Sequence, residues 1–433
     1  MKIAVAGLWH LGSVTAGCLA HAGHDVVGFD DNAEAIAGLR QGRPPVSEPG
    51  LAELLQAAMQ VGKLSFSSDL ASVSHADVVW ITYDTPVDAE DRADSEFVYS
   101  KIERLFPYFK NDALVLISSQ LPVGSTRRME EAYAKQFPDG GARFACSPEN
   151  LRLGKAIEVF TQPDRVVVGV RTTRDKECLA ALFKPITDKI VWMSVESAEM
   201  TKHAINAFLA TSVTFINELA TICERVGADA REVEKGLKSE ARIGPKAYLK
   251  AGGAFAGGTL ARDISFLIDL AAREQLPAKL FEAVKASNEA HRDWARRKLL
   301  AIASPLTEKR IAVLGLTYKP GTSTLRSSGA VELCRWLHEN GASVTAFDPK
   351  AEALSKDCQF IQRRADPMSA LSGADAAVVG TEWPEFKTLD EADVLKAMRQ
   401  AIVLDASGFL AGNLNANGRI RYITVGTPGG KNS

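Results

Sequence analysis

A glycine turn near the start of the chain is the first group of residues whose spacing suits chemistry. It follows an apolar run over residues 2–6 and opens a stretch with helical spacing. The next apolar run, residues 24–30, ends at Asp30. A strand, a glycine turn, a helix and a second strand ending in a carboxylate form the fingerprint of a dinucleotide-binding unit. The turn consists of Gly7, Leu8, Trp9, His10, Leu11 and Gly12.

The residue types of this turn predict how it binds a dinucleotide. Gly7 permits the tight turn, and Gly12 lets the helix pack close to the sheet. The N-terminus of the helix supplies N–H groups and a positive dipole for the pyrophosphate. Asp30 accepts hydrogen bonds from the adenosine ribose hydroxyls and repels a 2′-phosphate, so NAD is the expected cofactor rather than NADP.

One position departs from the fingerprint G-x-G-x-x-G. Its second glycine, which lets the backbone approach the pyrophosphate, is Trp9. The Trp9 side chain must therefore point aside, or the cofactor must shift. The alternative is a strand–helix–strand unit that binds no dinucleotide. We predict that the cofactor lies against Gly7, Trp9, His10, Leu11 and Gly12.

The apolar runs of the chain predict an α/β fold. Further buried strands are expected at residues 77–82, 113–118 and 165–170, with helical stretches between them. With the first two strands they form a doubly wound sheet over residues 1–195. From residue 310 the alternation of strands and helices restarts.

Residues 196–300 lack strand patterns. Within them, residues 196–226 keep helical spacing for about 30 residues, longer than a usual helix. Such a helix either spans between domains or forms a dimer core. The predicted architecture is two Rossmann-like doubly wound domains, 1–195 and 301–433, joined by a long central helix and a helical middle domain.

The composition excludes several classes of protein. With 51 Lys and Arg against 53 Asp and Glu, the net charge of −2 offers no basic excess for nucleic acid. Six cysteines without paired spacing favour a reducing, cytoplasmic location. No apolar run reaches about 18 residues, so no membrane partner is expected. The seven histidines lack ligand spacing, so no metal is expected, and His21 and His24 are expected at the surface.

Short segments spread over residues 1 to about 410 resemble those of one family, the UDP-glucose/GDP-mannose dehydrogenases. The segments are EPGL at 48–51, TP at 85–86, SPENLR at 147–152, PDR at 163–165, EMTK at 199–202, NAF at 206–208, RIG at 242–244, GLTYKP at 315–320, LR at 325–326 and TEW at 381–383. The resemblance implies an NAD-binding domain, a long dimerising helix and a UDP-binding domain, assembled as a homodimer.

The resemblance also implies a reaction, and the sequence departs from it at three positions. Family members usually oxidise the C6 alcohol of a nucleotide sugar to a carboxylate with two NAD. A loop cysteine traps the aldehyde, and water hydrolyses the later thioester. Here Thr259 occupies the cysteine position. Gln120 replaces a threonine that positions water, and Leu153 replaces a glutamate that acts in hydrolysis. All three departures concern the thioester.

The residues for the first oxidation are kept. Lys202 and Asn206 lie four apart, hence on one helix face, and both can hydrogen-bond an alkoxide-like oxygen. Asp263 can accept a proton, directly or through water, and Glu149 matches a family glutamate that holds water. Other roles are implied by the resemblance alone: Thr85, Gln120, Arg262 and Arg326 with the cofactor, Arg242, Gly257 and Lys319 with the nucleotide sugar, and Thr259 among the catalytic groups.

The sequence therefore predicts an NAD-dependent nucleotide-sugar dehydrogenase that acts on a UDP-sugar. It is expected to stop after one two-electron step, at an aldehyde or ketone. Two alternatives stay open: a four-electron oxidation through a hydrated aldehyde, and a nucleotide-binding regulator whose catalysis has decayed. Some residues also have purely structural interpretations, with Lys202 and Asn206 as a solvated helix face, Glu149 as a helix cap and 252–258 as a connector.

Overall fold

The structure is a computed structural model in two compact units, Met1–Ile205 and Asn206–Ser433. It describes all residues except 87–92, 150, 256–258, 322, 324, 326–327, 352–353, 355 and 429–433. The predicted site residues Gly257 and Arg326 lie outside the described residues. The division into three domains stays a prediction.

The first unit folds around one large β-sheet. Its strands are β1 (Lys2–Ala6), β2 (Asp25–Phe29), β3 (Leu64–Ser67), β4 (Val78–Ile81), β5 (Leu114–Ile117), β6 (Arg143–Cys146), β7 (Val166–Gly169) and β8 (Ile190–Met193). Their order across the sheet is β3-β2-β1-β4-β5-β6-β7-β8. Neighbouring strands are parallel except β6 and β7, which are antiparallel where Cys146 pairs with Gly169.

Helices cover both faces of this sheet. They are α1 (His10–His21), α2 (Ala33–Arg40), α3 (Leu51–Gln60), α4 (Ser95–Glu103), α5 (Ser125–Gln136), α6 (Ala156–Thr161) and α7 (Thr173–Phe183), with 3₁₀ turns at Leu70–Val73 and Phe106–Tyr108. Ile3 packs in the core that includes Val14 of α1, whereas Ala4 packs in the core that includes Met129 of α5. Because alternate residues of a strand point to opposite faces, β1 is buried on both sides. This burial explains the continuous apolar runs of the parallel strands.

The second unit has a sheet of its own, preceded by helices. The helices are α9 (Ala230–Ser239), α10 (Thr259–Arg273), α11 (Lys279–Arg292) and α12 (Trp294–Ala303). The sheet and its helices comprise β9 (Arg310–Leu314), α13 (Gly329–Glu339), β10 (Ser343–Phe347), β11 (Gln362–Arg363), α14 (Pro367–Leu371), β12 (Ala376–Val379), α15 (Glu391–Ala397), β13 (Ile402–Leu404), α16 (Ala411–Leu414) and β14 (Arg421–Ile423), with 3₁₀ turns at Lys356–Cys358 and Pro384–Thr388. The strands are parallel in the order β11-β10-β9-β12-β13-β14.

The predicted fold class is confirmed, and the predicted strands lie within one or two residues of their expected ends. The sequence patterns miss β3, β6, β8, β11 and β14. β3 alternates apolar and polar residues in the sequence LSFS, and β11 is exposed and polar. Neither of these two strands gives a continuous apolar run, so the apolar pattern alone does not predict them.

A long helix, α8 (Val195–Val226), contributes to a core at each of its ends. Val195 packs with Val167, and Ala220 packs in the core of the second unit. Of the helices in the described part of the chain, α8 has the length and composition to cross a membrane, with a mean hydropathy of 1.3 over 18 residues. Core helices of water-soluble proteins also pass this test, so it is weak evidence for a membrane span.

His24 is buried, so the expectation that it lies at the surface is wrong. Its side chain enters the first unit where the Gly23 turn leads into β2, and it is only 5% exposed. Its Nε2 atom lies 3.0 Å from the carbonyl oxygen of Leu182 in α7. Burial lowers the pKa of His24. His21 is exposed as expected.

Two arginines hold Glu196 in the first turn of α8. Its Oε1 accepts a hydrogen bond from Nη2 of Arg127 at 2.7 Å, and its Oε2 accepts one from Nη1 of Arg171 at 2.8 Å. Burial alone would raise the pKa of Glu196. Its own backbone N–H and the two guanidinium groups outweigh burial and lower the pKa to about 2. The ionised carboxylate therefore stabilises the folded state.

We expect Glu196→Gln to destabilise the first unit by about 1–3 kcal/mol at neutral pH. A lowered pKa gives stability that is complete above the unfolded value, about 4.5, and is lost as the pH falls toward 2. The difference between wild type and variant should therefore shrink in acid, measured by thermal unfolding from pH 7 to about pH 3. Glu177→Gln, at an exposed position of α7, is the control and should change little. A loss of stability in Glu196→Gln that is equal at pH 7 and at about pH 3 would contradict this explanation.

Candidate active site

The glycine turn after β1 leaves no room for a larger residue. Gly7 has φ of +95°, and a Cβ atom added there would lie 2.6 Å from the Tyr83 ring. A Cβ atom on Gly12 would lie 1.8 Å from the carbonyl oxygen of Gly7 and 2.7 Å from Oγ1 of Thr82. The N-terminus of α1 is thus brought against the carboxyl edge of the sheet, between β1 and β4. This close cradle fits a pyrophosphate.

Asp30 follows β2 and closes the same turn. Its Oδ2 accepts the backbone N–H of Leu8 at 2.8 Å, and its Oδ1 accepts that of Asn32 at 3.0 Å. The residue is partly exposed. Because a carboxylate offers about four lone-pair sites, Asp30 keeps acceptor capacity for a ligand hydroxyl.

The second unit has a similar glycine turn, but the carboxylate that closes it is surrounded by more donors. Gly315 after β9 has φ of +89°, and Asp348 after β10 closes the turn. The Asp348 carboxylate is 2% exposed and accepts hydrogen bonds from more groups than Asp30 does. These donors are the backbone N–H groups of Leu316, Thr317, Lys350 and Ala351, the hydroxyl of Thr317 and the indole N–H of Trp383. Of the two turns, the first therefore presents a carboxylate to a ligand.

The Trp9 side chain is exposed at the predicted cofactor turn, and the choice between its two arrangements toward a bound cofactor stays a prediction. Trp9 is the N-cap residue of α1, makes no capping hydrogen bond through its side chain, and is 52% exposed. Its side chain borders a cavity of about 150 Å³ at the carboxyl edge of the sheet. The cavity is lined by Trp9, His10, Leu11, Thr82, Tyr83, Asp84, Ser118, Gln120 and Glu149. The structure thus brings Gln120 and Glu149 to the predicted cofactor turn, and Thr85 donates its hydroxyl to the carbonyl of Gln120 at 2.7 Å.

Lys202 contacts Glu149 within the first unit. Its Nζ donates to the main-chain oxygen of Glu149 at 2.6 Å and lies 3.7 Å from Oε2 of the same residue. The Lys202 side chain is only 15% exposed, so the interpretation as a solvated helix face is wrong. Glu149 does not cap a helix either, because α6 begins at Ala156 after the cap residue Lys155.

The neighbouring turns of α8 hold Lys202 in place. Glu199 accepts the backbone N–H of Gly124 at 2.6 Å and both the N–H and the hydroxyl of Thr126 at 2.8 and 2.6 Å. His203 lies with Nε2 3.0 Å from the carbonyl of Leu121. Neither residue is among those that the sequence predicts for the site. The available signal was their position, since Glu199 and His203 flank Lys202 on one helix.

Asn206 contacts Asp263 within the second unit. The Asn206 amide donates to the carboxylate of Asp263, which is fully buried on α10. Asn206 itself is 6% exposed, so it is not a solvated residue. Thr259 is the first residue of α10 and is exposed, while Arg262 is partly buried on the same helix.

The remaining predicted substrate residues lie at the surface of the second unit. Arg242 is exposed and its Nε lies 3.0 Å from Oε1 of Glu240. Lys319 is exposed after the second glycine turn. In the part of the chain that the structure describes, no group of three or more His, Cys, Asp or Glu is arranged to hold a metal ion.

The sequence matches three family models that together span most of the chain. They are the NAD binding domain, the central domain and the UDP binding domain of the UDP-glucose/GDP-mannose dehydrogenase family, at residues 1–187, 196–290 and 312–412. The chain belongs to the UDP-glucose/GDP-mannose dehydrogenase family. It is an NAD-dependent nucleotide-sugar dehydrogenase.

Relatives match over nearly the whole chain. A UDP-glucose 6-dehydrogenase of Rhizobium meliloti is 34% identical over 99% of this chain and 100% of its own. A UDP-glucose 6-dehydrogenase of Bacillus subtilis is 34% identical over 99% of this chain and 93% of its own. A solved UDP-glucose dehydrogenase from Pyrobaculum islandicum superposes with a TM-score of 0.86 at 30% identity, covering 98% of both chains.

We expect Asp30→Ala to narrow the preference for NAD over NADP. In wild type, repulsion between the Asp30 carboxylate and a 2′-phosphate is expected to contribute about 1–3 kcal/mol, or roughly 5- to 150-fold in the ratio of kcat/KM values. Steady-state kinetics with both cofactors measures this ratio. Glu131→Ala, at an exposed position of α5, is the control and should leave the ratio unchanged. Equal use of NAD and NADP by wild type would refute the role of Asp30.

Proposed function

We propose that this dehydrogenase oxidises a sugar alcohol of a UDP-sugar in a single two-electron step and releases an aldehyde or ketone. The observation that carries the proposal is Thr259 at the start of α10, in a segment without cysteine from residue 224 to 333. Relatives named UDP-glucose 6-dehydrogenase and the matched UDP binding domain support a UDP-glucose-like substrate. A cytoplasmic location is part of the proposal, in keeping with six cysteines that form no disulfide.

The thiol that comes near the proposed catalytic lysine does not replace the missing cysteine. Cys146 borders the same small cavity as Lys202 and Glu149. Burial raises the pKa of the Cys146 thiol well above its usual range, and the Glu199 carboxylate raises it further. Because the thiolate is the nucleophile, a thiol held protonated in the core cannot trap an aldehyde.

The proposed chemistry is a balanced alcohol oxidation. NAD, when bound, supplies the acceptor for the hydride that leaves the alcohol carbon. The Lys202 ammonium and the Asn206 amide donate to the oxygen as negative charge develops on it. Asp263, which already holds the Asn206 amide, takes the hydroxyl proton directly or through water. The carbon–oxygen bond becomes a carbonyl, and the proton passes on to solvent.

The other predicted residues have binding roles in this proposal. The turn from Gly7 to Gly12, with Asp30, Thr85 and Gln120, holds NAD in the first unit. Arg262 meets cofactor phosphates. Arg242 and Lys319 provide exposed cations for the nucleotide phosphates or the sugar. Thr259 donates a hydrogen bond to a sugar hydroxyl or to water, and Glu149 holds water beside Lys202.

A four-electron oxidation to a uronate is the second candidate. Its support is the name of the relatives, UDP-glucose 6-dehydrogenase, over 99% of this chain. Without a thiol, the second oxidation would proceed from the hydrated aldehyde, with Glu149 holding the water. The two candidates differ in the number of NADH molecules formed for each product molecule.

We expect one NADH per product and a carbonyl product that hydrazine traps. The measurement incubates the protein with NAD and a panel of UDP-sugars, counts NADH by absorbance and identifies products by mass.

Thr259→Ala should weaken substrate binding or raise the activation barrier by only about 0.5–1.5 kcal/mol, the contribution of one neutral hydrogen bond. Thr259→Cys should not yield acid, because Gln120 and Leu153 leave the hydrolytic water without support. Two NADH and a carboxylate from wild type, both abolished in Thr259→Ala, would refute the two-electron proposal.

Lys202→Ala is expected to lower kcat/KM by about 10²-fold or more, since it removes a charged partner of the developing oxyanion. Lys135→Ala, at an exposed position of α5, should leave kcat/KM within about twofold of wild type. Steady-state kinetics on the best UDP-sugar compares the two variants. A Lys202→Ala enzyme as active as the Lys135→Ala control would exclude Lys202 from the chemistry.

We further propose that the protein is a homodimer built on α8. Phe208, Phe215 and Ile222 are 70%, 49% and 57% exposed and lie seven residues apart. This period places them on one stripe of the helix. A large apolar stripe in water is unfavourable unless a partner covers it.

Phe215→Glu should therefore convert the dimer to a monomer, because it places a charge at the centre of the apolar stripe. Light scattering at micromolar concentration measures the mass. Val61→Glu replaces a residue that is 73% exposed after α3, and this control should leave the dimer intact. A wild-type monomer at this concentration would contradict the proposal.

A further inference from the structure

Glu48 is a buried carboxylate that touches two functional segments of the first unit. It lies just before α3, and its side chain is 1% exposed. Its Oε2 lies 2.9 Å from Nε2 of His10 and accepts the backbone N–H of Gly154 at 2.8 Å, while its Oε1 accepts that of Ala156 at 2.8 Å. Burial alone would raise the pKa of Glu48, but these three contacts outweigh it and lower the pKa. The group is therefore a buried anion surrounded by donors.

One of its partners belongs to the cofactor turn. His10 is the first residue of α1 and lines the cavity that also contains Glu149. Its ring is mostly buried, with 18% of the side chain exposed. A histidine ring has only two rotatable bonds, so a single hydrogen bond to a fixed carboxylate defines its position well.

The other partners belong to the loop that carries Glu149. Residues 147–155 connect β6 to α6, and Gly154 and Ala156 mark the far end of this loop. Near the beginning of the loop, the carbonyl of Glu149 accepts a hydrogen bond from the ammonium group of Lys202. Glu48 therefore fixes one end of a loop whose other end contacts the proposed catalytic lysine.

The backbone around Glu48 is itself rigid. Pro49 follows it, and Gly50 adopts a left-handed conformation with φ of +79° as the N-cap of α3. Leu51 and Leu55 of this helix are fully buried in the core. The carboxylate thus projects from a fixed corner, and removal of one donor leaves part of a buried charge unpaired, which is costly.

We propose that His10 is a positioning residue that acts through Glu48. Its hydrogen bond keeps Glu48 aligned with Gly154 and Ala156, and so keeps the 147–155 loop and its contact with Lys202 in place beside the cofactor turn. The effect on catalysis rests on the proposed function, whereas the effect on the loop does not.

Hydrogen–deuterium exchange of the protein without ligands tests the structural part. His10→Phe should speed exchange of the Gly154 and Ala156 amides by about tenfold, because their acceptor loses its alignment. His10→Gln should restore exchange to within about twofold of wild type, since its amide N–H occupies the place of Nε2–H. Glu48→Gln should act like His10→Phe, because an amide nitrogen accepts no hydrogen bond. The Gly124 and Thr126 amides, held by Glu199, serve as internal controls and should not change.

Steady-state kinetics on the best UDP-sugar tests the catalytic part. His10→Phe should lower kcat by about tenfold, because small misplacements of a catalytic group are costly, and His10→Gln should rescue the loss. The KM for NAD should stay within about threefold of wild type, because the backbone of the glycine turn, which Phe leaves in place, makes the predicted pyrophosphate contact. A higher KM for NAD at unchanged kcat would limit the His10 side chain to a cofactor contact and overturn the proposal. Unchanged exchange in His10→Phe, or no rescue by His10→Gln, would also overturn it. If wild type oxidises no UDP-sugar, the proposed function fails, and the exchange measurements alone decide the role of His10.

Discussion

A buried carboxylate must be surrounded by donors, and this constraint organises the carboxyl edge of the first sheet. Glu199 accepts hydrogen bonds from Gly124, at the end of the loop after β5, and from Thr126 in the first turn of α5. Glu48 gathers His10, Gly154 and Ala156 from the turn after β1 and the loop after β6. An unpaired ion in the core costs several kcal/mol. Each carboxylate therefore fixes the segments that supply its donors, and Lys202 contacts one of these segments through Glu149.

The number of donors around a carboxylate also distinguishes the two glycine turns of the chain. Asp30 and Asp348 stand at equivalent places, after the second strand of each sheet. Asp348 is 2% exposed and is occupied by backbone, hydroxyl and indole donors, so it offers little acceptor capacity to a ligand. Asp30 accepts two backbone N–H groups and keeps part of its surface in solvent. Two similar sequence patterns thus have different capacities for a ligand, and the difference depends on the donors that tertiary structure brings to each carboxylate.

The buried strands and the first glycine turn could be predicted from the sequence, because residues close together in the chain determine both. β4, β5 and the last four residues of β1 are buried, so these residues are continuously apolar. Gly7, Gly12 and Asp30 belong to one strand–helix–strand unit, and their spacing alone defines the turn. The contact of Lys202 with Glu149 spans 53 residues and that of Glu48 with Ala156 spans 108. Such contacts depend on how loops from distant strands meet, which no short-range pattern encodes. His24 was misplaced for the same reason, since α7 covers it from far along the chain.

The burial of the cysteines limits how oxidants can attack this protein. Thiolates at accessible sites are the first groups that peroxide and alkylating reagents attack. Here five of the six cysteines are buried and the sixth is half-buried, while burial raises the pKa of the Cys18, Cys146, Cys178 and Cys334 thiols. With a hydroxyl at position 259, the first turn of α10 carries no sulfur. The groups proposed for catalysis, an ammonium, an amide and carboxylates, are ones that mild oxidants leave unchanged.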